Sequence, residues 1–134
     1  MDYVYEIAVM HYLTRLGDAF VCPQFPTKDD KGGIWSTPDF VLLDFSKREI
    51  AIIEVSSASD VSNLRARVVD HDNRWVAKLK NQLSYLKCGI EDWPMVVKVF
   101  VRGLNKTKFE NLKLGIPVFP EALEDVMCNW KWEW

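Results

Sequence analysis

Hydrophobic residues recur at helical spacing near the start of the chain, over residues 2 to about 16. Apolar positions three and four residues apart form one stripe along a helix. Gly17 follows the stripe and tolerates the left-handed conformation that often ends a helix. We therefore predict a first helix over residues 2–16. Its stripe consists of Val4, Ile7, Ala8, Met10, His11 and Leu13.

Short apolar runs further along the chain predict strands. Residues 40–45 and 50–55 are joined by a polar turn at 46–49, which is the pattern of a hairpin with two largely buried strands. Residues 95–101 are rich in β-branched side chains and predict a third core strand. Residues 21–25 predict a shorter extended segment that ends near prolines.

Residues 60–88 return to helical spacing. The polar stretch 70–73 is a candidate break, after which Asp72 or Asn73 would cap a shorter helix. The apolar stripe consists of Val61, Leu64, Val68, Trp75, Leu79, Leu83 and Leu86.

The C-terminal part predicts a short helix at 107–114, a strand at 116–119 and a last helix at 120–129 with Pro120 in its first turn. The element order α-β-β-β-α-β-α-β-α indicates an α/β fold, in which a central mixed β-sheet is flanked by helices. A length of 134 residues predicts a single domain over residues 1–134.

The composition narrows the function classes. The chain is 49% hydrophobic, 27% charged and 13% aromatic, as in a globular domain. With 17 basic and 19 acidic residues, the net charge of −2 excludes a uniformly basic coat for nucleic acid, but not a local basic strip. Three scattered cysteines and two histidines argue against a disulfide framework and a Cys/His zinc cluster. Without a signal-peptide pattern or a membrane-length apolar run, we expect a cytoplasmic protein that does not engage a membrane.

The most informative residues are two acids in the predicted hairpin. Asp39 follows Pro38 where the first strand begins, and Glu54 lies where the second strand ends. Because the start of one antiparallel strand lies beside the end of its partner, we expect the two carboxylates to be neighbours. Such a pair requires a proton or a cation between its members, and hard oxygen ligands suit Mg²⁺ or Mn²⁺.

An ordinary structural role is the alternative for each acid. Asp39 after a proline is a common turn residue, and Glu54 at a strand end can be solvated. Glu54, however, closes the apolar run at 50–53, where burial of an acid costs free energy unless something pairs with it.

This pattern resembles the PD-(D/E)XK nuclease superfamily. The similar residues are Pro38-Asp39, followed fifteen positions later by Glu54-Val55-Ser56. The resemblance covers about residues 2–102, whose element order is similar to the αβββαβ core of restriction-endonuclease-like folds. Residues 103–134 would then be a C-terminal α/β extension.

The resemblance implies a set of site residues. Asp39, Glu54 and the main-chain carbonyl of Val55 would hold Mg²⁺ or Mn²⁺, and Glu6 on the first helix would complete the metal site. Glu6 also suits the dipole of the first helical turns without any metal. A glutamine with a nearby aromatic residue recurs in the RecB-like branch of the superfamily. Gln82 and Tyr85 match that pattern, although the spacing is one residue short.

Ser56 departs from the family, which has a lysine at this position. Serine supplies no positive charge, so either the charge comes from another residue or the site does not cleave. On a continuous helix, a strip of polar residues would flank the apolar stripe. From this strip we predict Lys78 as the replacement cation and Arg74 as the second choice. The strip contains Arg67, His71, Arg74, Lys78, Gln82 and Tyr85.

The charge of the segment supports a nucleic-acid contact. Residues 60–88 contain six basic and three acidic side chains, a balance of 6 − 3 = +3 within a chain of net charge −2. We predict DNA contacts from Arg67, Arg74, Lys78 and Tyr85, with a solvated helix face as the alternative for each.

Two further segments leave alternatives open. Residues 28–35 suit either a flap that grips substrate or an ordinary surface loop. Trp130, Trp132 and Trp134 alternate with polar residues, which favours a strand with one aromatic face, either at a dimer contact or packed against its own chain.

We therefore expect a small metal-dependent nuclease that hydrolyses phosphodiester bonds of DNA, with RNA as an alternative substrate. It would act as a homodimer or as a subunit of a complex, and its small size fits a phage or mobile-element origin. The alternative function is a catalytically degenerate module of the same fold that binds nucleic acid or a protein partner in a larger assembly.

Overall fold

The computed structural model describes residues 3–15, 17–23, 27–28 and 34–129. The strands are β1 (Ala19–Pro23), β2 (Thr27–Lys28), β3 (Ile34–Ser36), β4 (Phe40–Asp44), β5 (Glu49–Ser56), β6 (Met95–Val101) and β7 (Val118–Ala122). The helices are α1 (Tyr3–Thr14), α2 (Ser62–Val69), α3 (Ala77–Ser84), α4 (Thr107–Glu110) and α5 (Leu123–Asn129). A π-helical turn (Asp72–Val76) lies between α2 and α3, and 3₁₀ turns lie at Ile90–Asp92 and Gly103–Asn105.

Five strands form the central sheet in the order β1-β4-β5-β6-β7, and β2 and β3 pair separately. Strand β4 is antiparallel to both β1 and β5, whereas β5, β6 and β7 are parallel. The sheet is therefore mixed, with helices on both faces, which confirms the predicted α/β class. The predicted αβββαβ order is present in α1, β1, β4, β5, the helical segment α2–α3 and β6.

The sheet is covered on both faces because its central strands are apolar on both sides. On one face, Ile50 and Ile52 pack beneath the side chains of Val68, Trp75 and Leu79. On the other face, Val9 of α1 and Val126 of α5 cover a second cluster, which includes Phe40, Ile53 and Phe100. Each buried aliphatic or aromatic side chain contributes about 1.5 to 3 kcal/mol relative to exposure.

The helical segment after β5 contains a π turn, so the prediction of a second helix capped by Asp72 or Asn73 is wrong. The backbone of His71 stays helical, with φ −57° and ψ −36°, and the chain continues into the π turn and α3. A π turn contains an extra residue, which rotates the following positions by about 100° relative to a regular helix.

Two members of the predicted polar strip lie in different environments. His71 is buried at 2% exposure, and its Nδ1 lies 3.1 Å from the carbonyl oxygen of Val68. Tyr85 is 76% exposed and follows the end of α3. The predicted polar strip therefore includes one buried member, His71, and one member beyond the end of α3, Tyr85. Its other members are half-buried. Leu86 was predicted as part of the buried apolar stripe, but it is 58% exposed, so that part of the prediction is wrong.

Other predicted boundaries differ from the structure. Pro120 belongs to β7, so the last helix begins only at Leu123. The parallel pairing of Val99 with Pro120 extends the sheet, which explains why this segment is a strand. Helix α4 is shorter than predicted, and the first extended segment is shifted to Ala19–Pro23.

Two predictions lie partly or wholly outside the described residues. The loop predicted over 28–35 includes the β2–β3 pair, but its centre, residues 29–33, lies outside them, and so do the three C-terminal tryptophans. Within the described part of the chain, no helix has both the length and the apolar character needed to cross a membrane.

Candidate functional site

The β4–β5 hairpin brings Asp39 and Glu54 to one edge of the sheet. Phe40 pairs with Ile53 in the antiparallel register, so Asp39 and Glu54 are the next pair outward. Side chains alternate along a strand, so Glu54 lies on the same face as Ile52, the face covered by α2 and α3. The two carboxylates are neighbours, as the hairpin pattern predicts.

A hydrogen bond across the hairpin fixes Asp39. The backbone N–H of Val55 donates to Asp39 Oδ2 at 2.8 Å. A charge-assisted bond of this length is among the stronger hydrogen bonds in proteins. This hydrogen bond lies beyond Phe40 and Ile53, the last residue pair of the β4–β5 ladder. It therefore holds Asp39 against the carboxyl end of β5.

Glu54 is a buried acid next to another acid. The residue is 3% exposed. Burial, and after it the charge of Asp39 and a side-chain hydrogen bond with Asp39, raise the pKa of Glu54 well above its ordinary value of 4.5. The positive charge of Arg67 acts in the opposite direction but does not outweigh these effects.

Arg67 is the cation that the fold places against Glu54. Its Nε lies 3.8 Å from Glu54 Oε1, an ion-pair distance that is too long for a direct hydrogen bond. The Arg67 side chain is 38% exposed and that of Glu54 is 4% exposed, so Arg67 connects a buried carboxylate with solvent. Arg67 borders the α2 face formed by Leu64 and Val68. The sequence predicted Arg67 as a member of the polar strip and as a DNA contact, but not as the partner of Glu54.

The other predicted basic residues lie elsewhere on the helical segment. Arg74 Nε is 3.4 Å from Asp70 Oδ2, one helical turn away. Lys78 and Gln82 are half-buried on α3, beside Leu79 and Leu83, which pack into the core. Their roles as replacement cation and water-orienting amide stay predictions, and so does DNA contact by Arg74 and Tyr85.

Ser56 is part of the turn that leaves β5. Its Oγ accepts a hydrogen bond from the backbone N–H of Ala58 at 3.2 Å. The next residues are anchored by Asn105, whose Nδ2 donates to the carbonyl oxygens of Ala58 at 3.1 Å and Ser59 at 3.2 Å. Asn105 is fully buried and positions this loop. Sequence reasoning missed Asn105 because a lone asparagine has no spacing signal.

Glu6 lies on α1, whose first turns approach the same edge of the sheet. Tyr5 and Ser57 line one cavity together, which places the start of α1 near the loop after β5. Within the described ranges, however, no group of three or more His, Cys, Asp or Glu side chains is arranged to hold a metal ion. Glu6 therefore does not form such a cluster with Asp39 and Glu54, and its ligand role stays a prediction.

The chemistry of the acid pair fits a divalent cation. Mg²⁺ is commonly bound through one or two carboxylates, and it keeps several waters and contacts substrate phosphate. A cation between Asp39 and Glu54 would remove the repulsion that helps to raise the pKa of Glu54. One buried and one half-buried carboxylate therefore suit Mg²⁺ or Mn²⁺, and the role of the Val55 carbonyl as a further ligand stays a prediction.

One solved structure, the small subunit of a heterodimeric restriction endonuclease, is similar over 92% of this chain, with a TM-score of 0.48 and 12% identity. This chain covers 64% of that subunit, so it spans less than two-thirds of the subunit's length. At this TM-score and identity, the similarity does not bear on the activity of this chain. No protein-family model and no curated protein matches the sequence.

Proposed function

We propose that this protein is a divalent-metal-dependent nuclease that hydrolyses phosphodiester bonds of DNA. The observation that carries the proposal is the position of Glu54, which is 3% exposed and lies beside Asp39 at the edge of the sheet. Burial of an acid next to a second acid destabilises the fold, and the apolar strand β5 has no structural need for it. A function in binding a cation accounts for that cost.

Asp39, Glu54 and the Val55 carbonyl would hold the Mg²⁺ or Mn²⁺ ion, with Glu6 as a further ligand. When bound, the ion supplies Lewis-acid polarisation of the phosphate and lowers the pKa of a coordinated water. The hydrogen bond from the Val55 N–H keeps the Asp39 carboxylate in place before substrate arrives. Gln82 would orient the water or a phosphate oxygen.

Basic residues on α2, α3 and the π turn between them support DNA as the substrate. The segment 60–88 has a charge of 6 − 3 = +3, whereas the whole chain has −2. Arg67, Arg74 and Lys78 would contact phosphates, and the exposed ring of Tyr85 suits stacking on a base. A homodimer or a complex with another subunit would supply the additional contacts that a small domain lacks.

Asp39→Ala tests this function, and Asp44→Ala is the matched control at the other end of β4. We expect the wild-type protein to nick plasmid DNA with Mn²⁺ and Asp39→Ala to lose at least about 100-fold in rate, whereas Asp44→Ala stays within about twofold. Equal rates for wild type and Asp39→Ala, or no cutting of single-stranded, double-stranded or branched DNA or RNA, would contradict the proposal.

A degenerate binding module is the second candidate, and Ser56 favours it, because this position lacks the lysine of the family it resembles. That function predicts DNA or protein binding without cleavage. The same plasmid assay, combined with fluorescence anisotropy of a labelled oligonucleotide, separates binding without cutting from catalysis.

A further inference from the structure

A nuclease site needs positive charge close to the phosphate that is cut, because negative charge builds up on the phosphate oxygens in the transition state. Ser56 cannot supply this charge, and its hydroxyl is part of the turn with Ala58. The proposed function therefore depends on a cation from another element of the fold.

Arg67 has the required position. Its Nε lies 3.8 Å from Glu54 Oε1, so the guanidinium borders the acid pair directly. Leu64 and Val68, on either side of Arg67 in the sequence, are buried in the core and hold α2 against the sheet.

Arg67 is also accessible to a phosphate that arrives from solvent. Its side chain is 38% exposed, whereas the carboxylate that it pairs with is 4% exposed. A guanidinium carries five N–H donors in one plane, so it can face a carboxylate with Nε and still bind a phosphate with its other nitrogens. A lysine in this place would offer only a point charge.

We infer that Arg67, and not Lys78, supplies the positive charge that Ser56 lacks, by binding the scissile phosphate of DNA beside Asp39 and Glu54. This inference rests on the proposed function and assigns its phosphate-binding residue. The π turn bears on the difference from the sequence prediction, because an extra residue changes the phase of α3 relative to α2, and the regular-helix spacing that aligned Lys78 with Arg67 does not hold across it.

The test compares Arg67→Gln with Lys78→Gln, and uses Lys80→Gln as the control, since Lys80 is an exposed basic residue on α3. Plasmid nicking with Mn²⁺ is measured for each variant. We expect Arg67→Gln to lose at least about 100-fold in rate, whereas Lys80→Gln stays within about twofold.

A second measurement does not depend on cleavage. Binding of a short labelled DNA duplex in EDTA is followed by fluorescence anisotropy over a range of salt concentrations. We expect the slope of log K against log salt to fall by about one for Arg67→Gln, as for loss of one phosphate contact. A purely structural arginine would lower the melting temperature and leave this slope unchanged.

The outcomes separate this inference from the proposed function. If the wild type cuts and Arg67→Gln cuts within about threefold of it, the Arg67 assignment is wrong and the nuclease function stands. Loss of cleavage in Lys78→Gln but not in Arg67→Gln has the same meaning. If the wild type cuts nothing, the proposed function fails, and the assignment of Arg67 fails with it.

Arg67→Lys decides the question if Arg67→Gln does not fold, because lysine retains a positive charge near Glu54. A loss of about tenfold in cleavage at an unchanged melting temperature would support the phosphate contact, since lysine lacks the planar donor set. Unchanged cleavage by Arg67→Lys would also support the assignment, because the charge is retained. Arg67→Met keeps the apolar stem without the charge, and cleavage by this variant within about threefold of the wild type would overturn the assignment.

Discussion

The β4–β5 hairpin carries an aspartate and a glutamate at each of its ends, and the two pairs lie in opposite environments. Asp44 pairs with Glu49 beside the turn, and Asp39 faces Glu54 at the other end. Near the turn, Asp44 Oδ1 accepts hydrogen bonds from the N–H of Ser46 at 3.1 Å, the hydroxyl of Ser46 at 2.9 Å and the N–H of Lys47 at 3.0 Å.

The pKa of Asp44 near the turn and the pKa of Glu54 at the other end are shifted in opposite directions. Partial burial acts to raise the pKa of Asp44, but hydrogen bonds from Lys47 and Ser46 outweigh it, and the pKa is lowered from 3.8. At the other end, burial and the charge of Asp39 raise the pKa of Glu54 well above 4.5. The same residue types in the same strand pair thus form a turn cap at one end and a cation-binding candidate at the other.

The largest expected difference between the two ends is in catalysis. Glu54→Gln removes a proposed metal ligand, so we expect DNA nicking with Mn²⁺ to fall at least about 100-fold. Glu49→Gln makes the same chemical change near the turn, and its nicking rate should stay within about twofold of the wild type. Similar rates for the two variants would mean that the ends do not differ in function.

The next effect is metal-dependent stability. At an Mn²⁺ concentration of 100 times Kd, binding to the folded state adds about 2.7 kcal/mol, which corresponds to a rise of roughly 10 °C in melting temperature. Asp39→Ala should abolish this rise, and Asp44→Ala should retain it. Differential scanning fluorimetry with Mn²⁺ and with EDTA measures the difference, and an equal rise in all three proteins would contradict a site at Asp39.

A smaller effect concerns pH. Because the folded-state pKa of Glu54 is raised above the ordinary value of 4.5, the folded protein binds the proton more tightly than the unfolded chain does. Without metal, stability should therefore fall as the pH rises from 4.5 towards the raised pKa, and then level off.

Glu54→Gln removes this ionisation, so in EDTA its melting temperature relative to the wild type should rise as the pH increases from 4.5 through the raised pKa, with the difference smallest in acid. Glu49→Gln is the control and should show no such gain. Melting curves over a pH series in EDTA measure both, and a Glu54→Gln variant whose melting temperature relative to the wild type does not rise with pH would oppose this explanation.

The smallest effect belongs to the turn. Asp44→Ala removes the acceptor of three hydrogen bonds, so we expect the melting temperature to fall by about 2 to 4 °C at neutral pH. Because the pKa of Asp44 is lowered, its contribution is present above pH 3.8 and is lost as the pH falls through the folded-state value. If the difference in melting temperature between the wild type and Asp44→Ala instead grows as the pH falls, Asp44 does not stabilise the fold in its ionised form.

The hairpin and its acid pair were predictable because each depends on a short stretch of sequence. Two apolar runs joined by a polar turn predict an antiparallel hairpin, in which the start of one strand lies near the end of the other. The exact register was not predicted: a turn at 46–49 would pair residue 39 with residue 56, whereas the hairpin closes at Asp44 and Glu49 and so places Asp39 opposite Glu54. The parallel strand β6 was predictable for the same reason, since its run of β-branched residues reflects burial on both faces.

The basic residue that lies beside Glu54 was not predictable in this way. Local spacing does not distinguish a helix break at residues 70–73 from a π turn, and the π turn follows the buried His71 and contains the buried Trp75, both at 2% exposure or less. One extra residue in a turn changes the phase of every later side chain. Sequence spacing therefore aligned Lys78 with Arg67, whereas the fold places Arg67 beside Glu54.

The sequence by itself determined the α/β class, the core hairpin and the juxtaposition of two acids, because these follow from local patterns of apolar and polar residues. The tertiary structure decided the burial of Glu54, the anchoring of the loop after β5 by Asn105 and the identity of the nearby cation. These properties depend on contacts between residues that are distant in the chain, and periodicity within a single element contains no information about them.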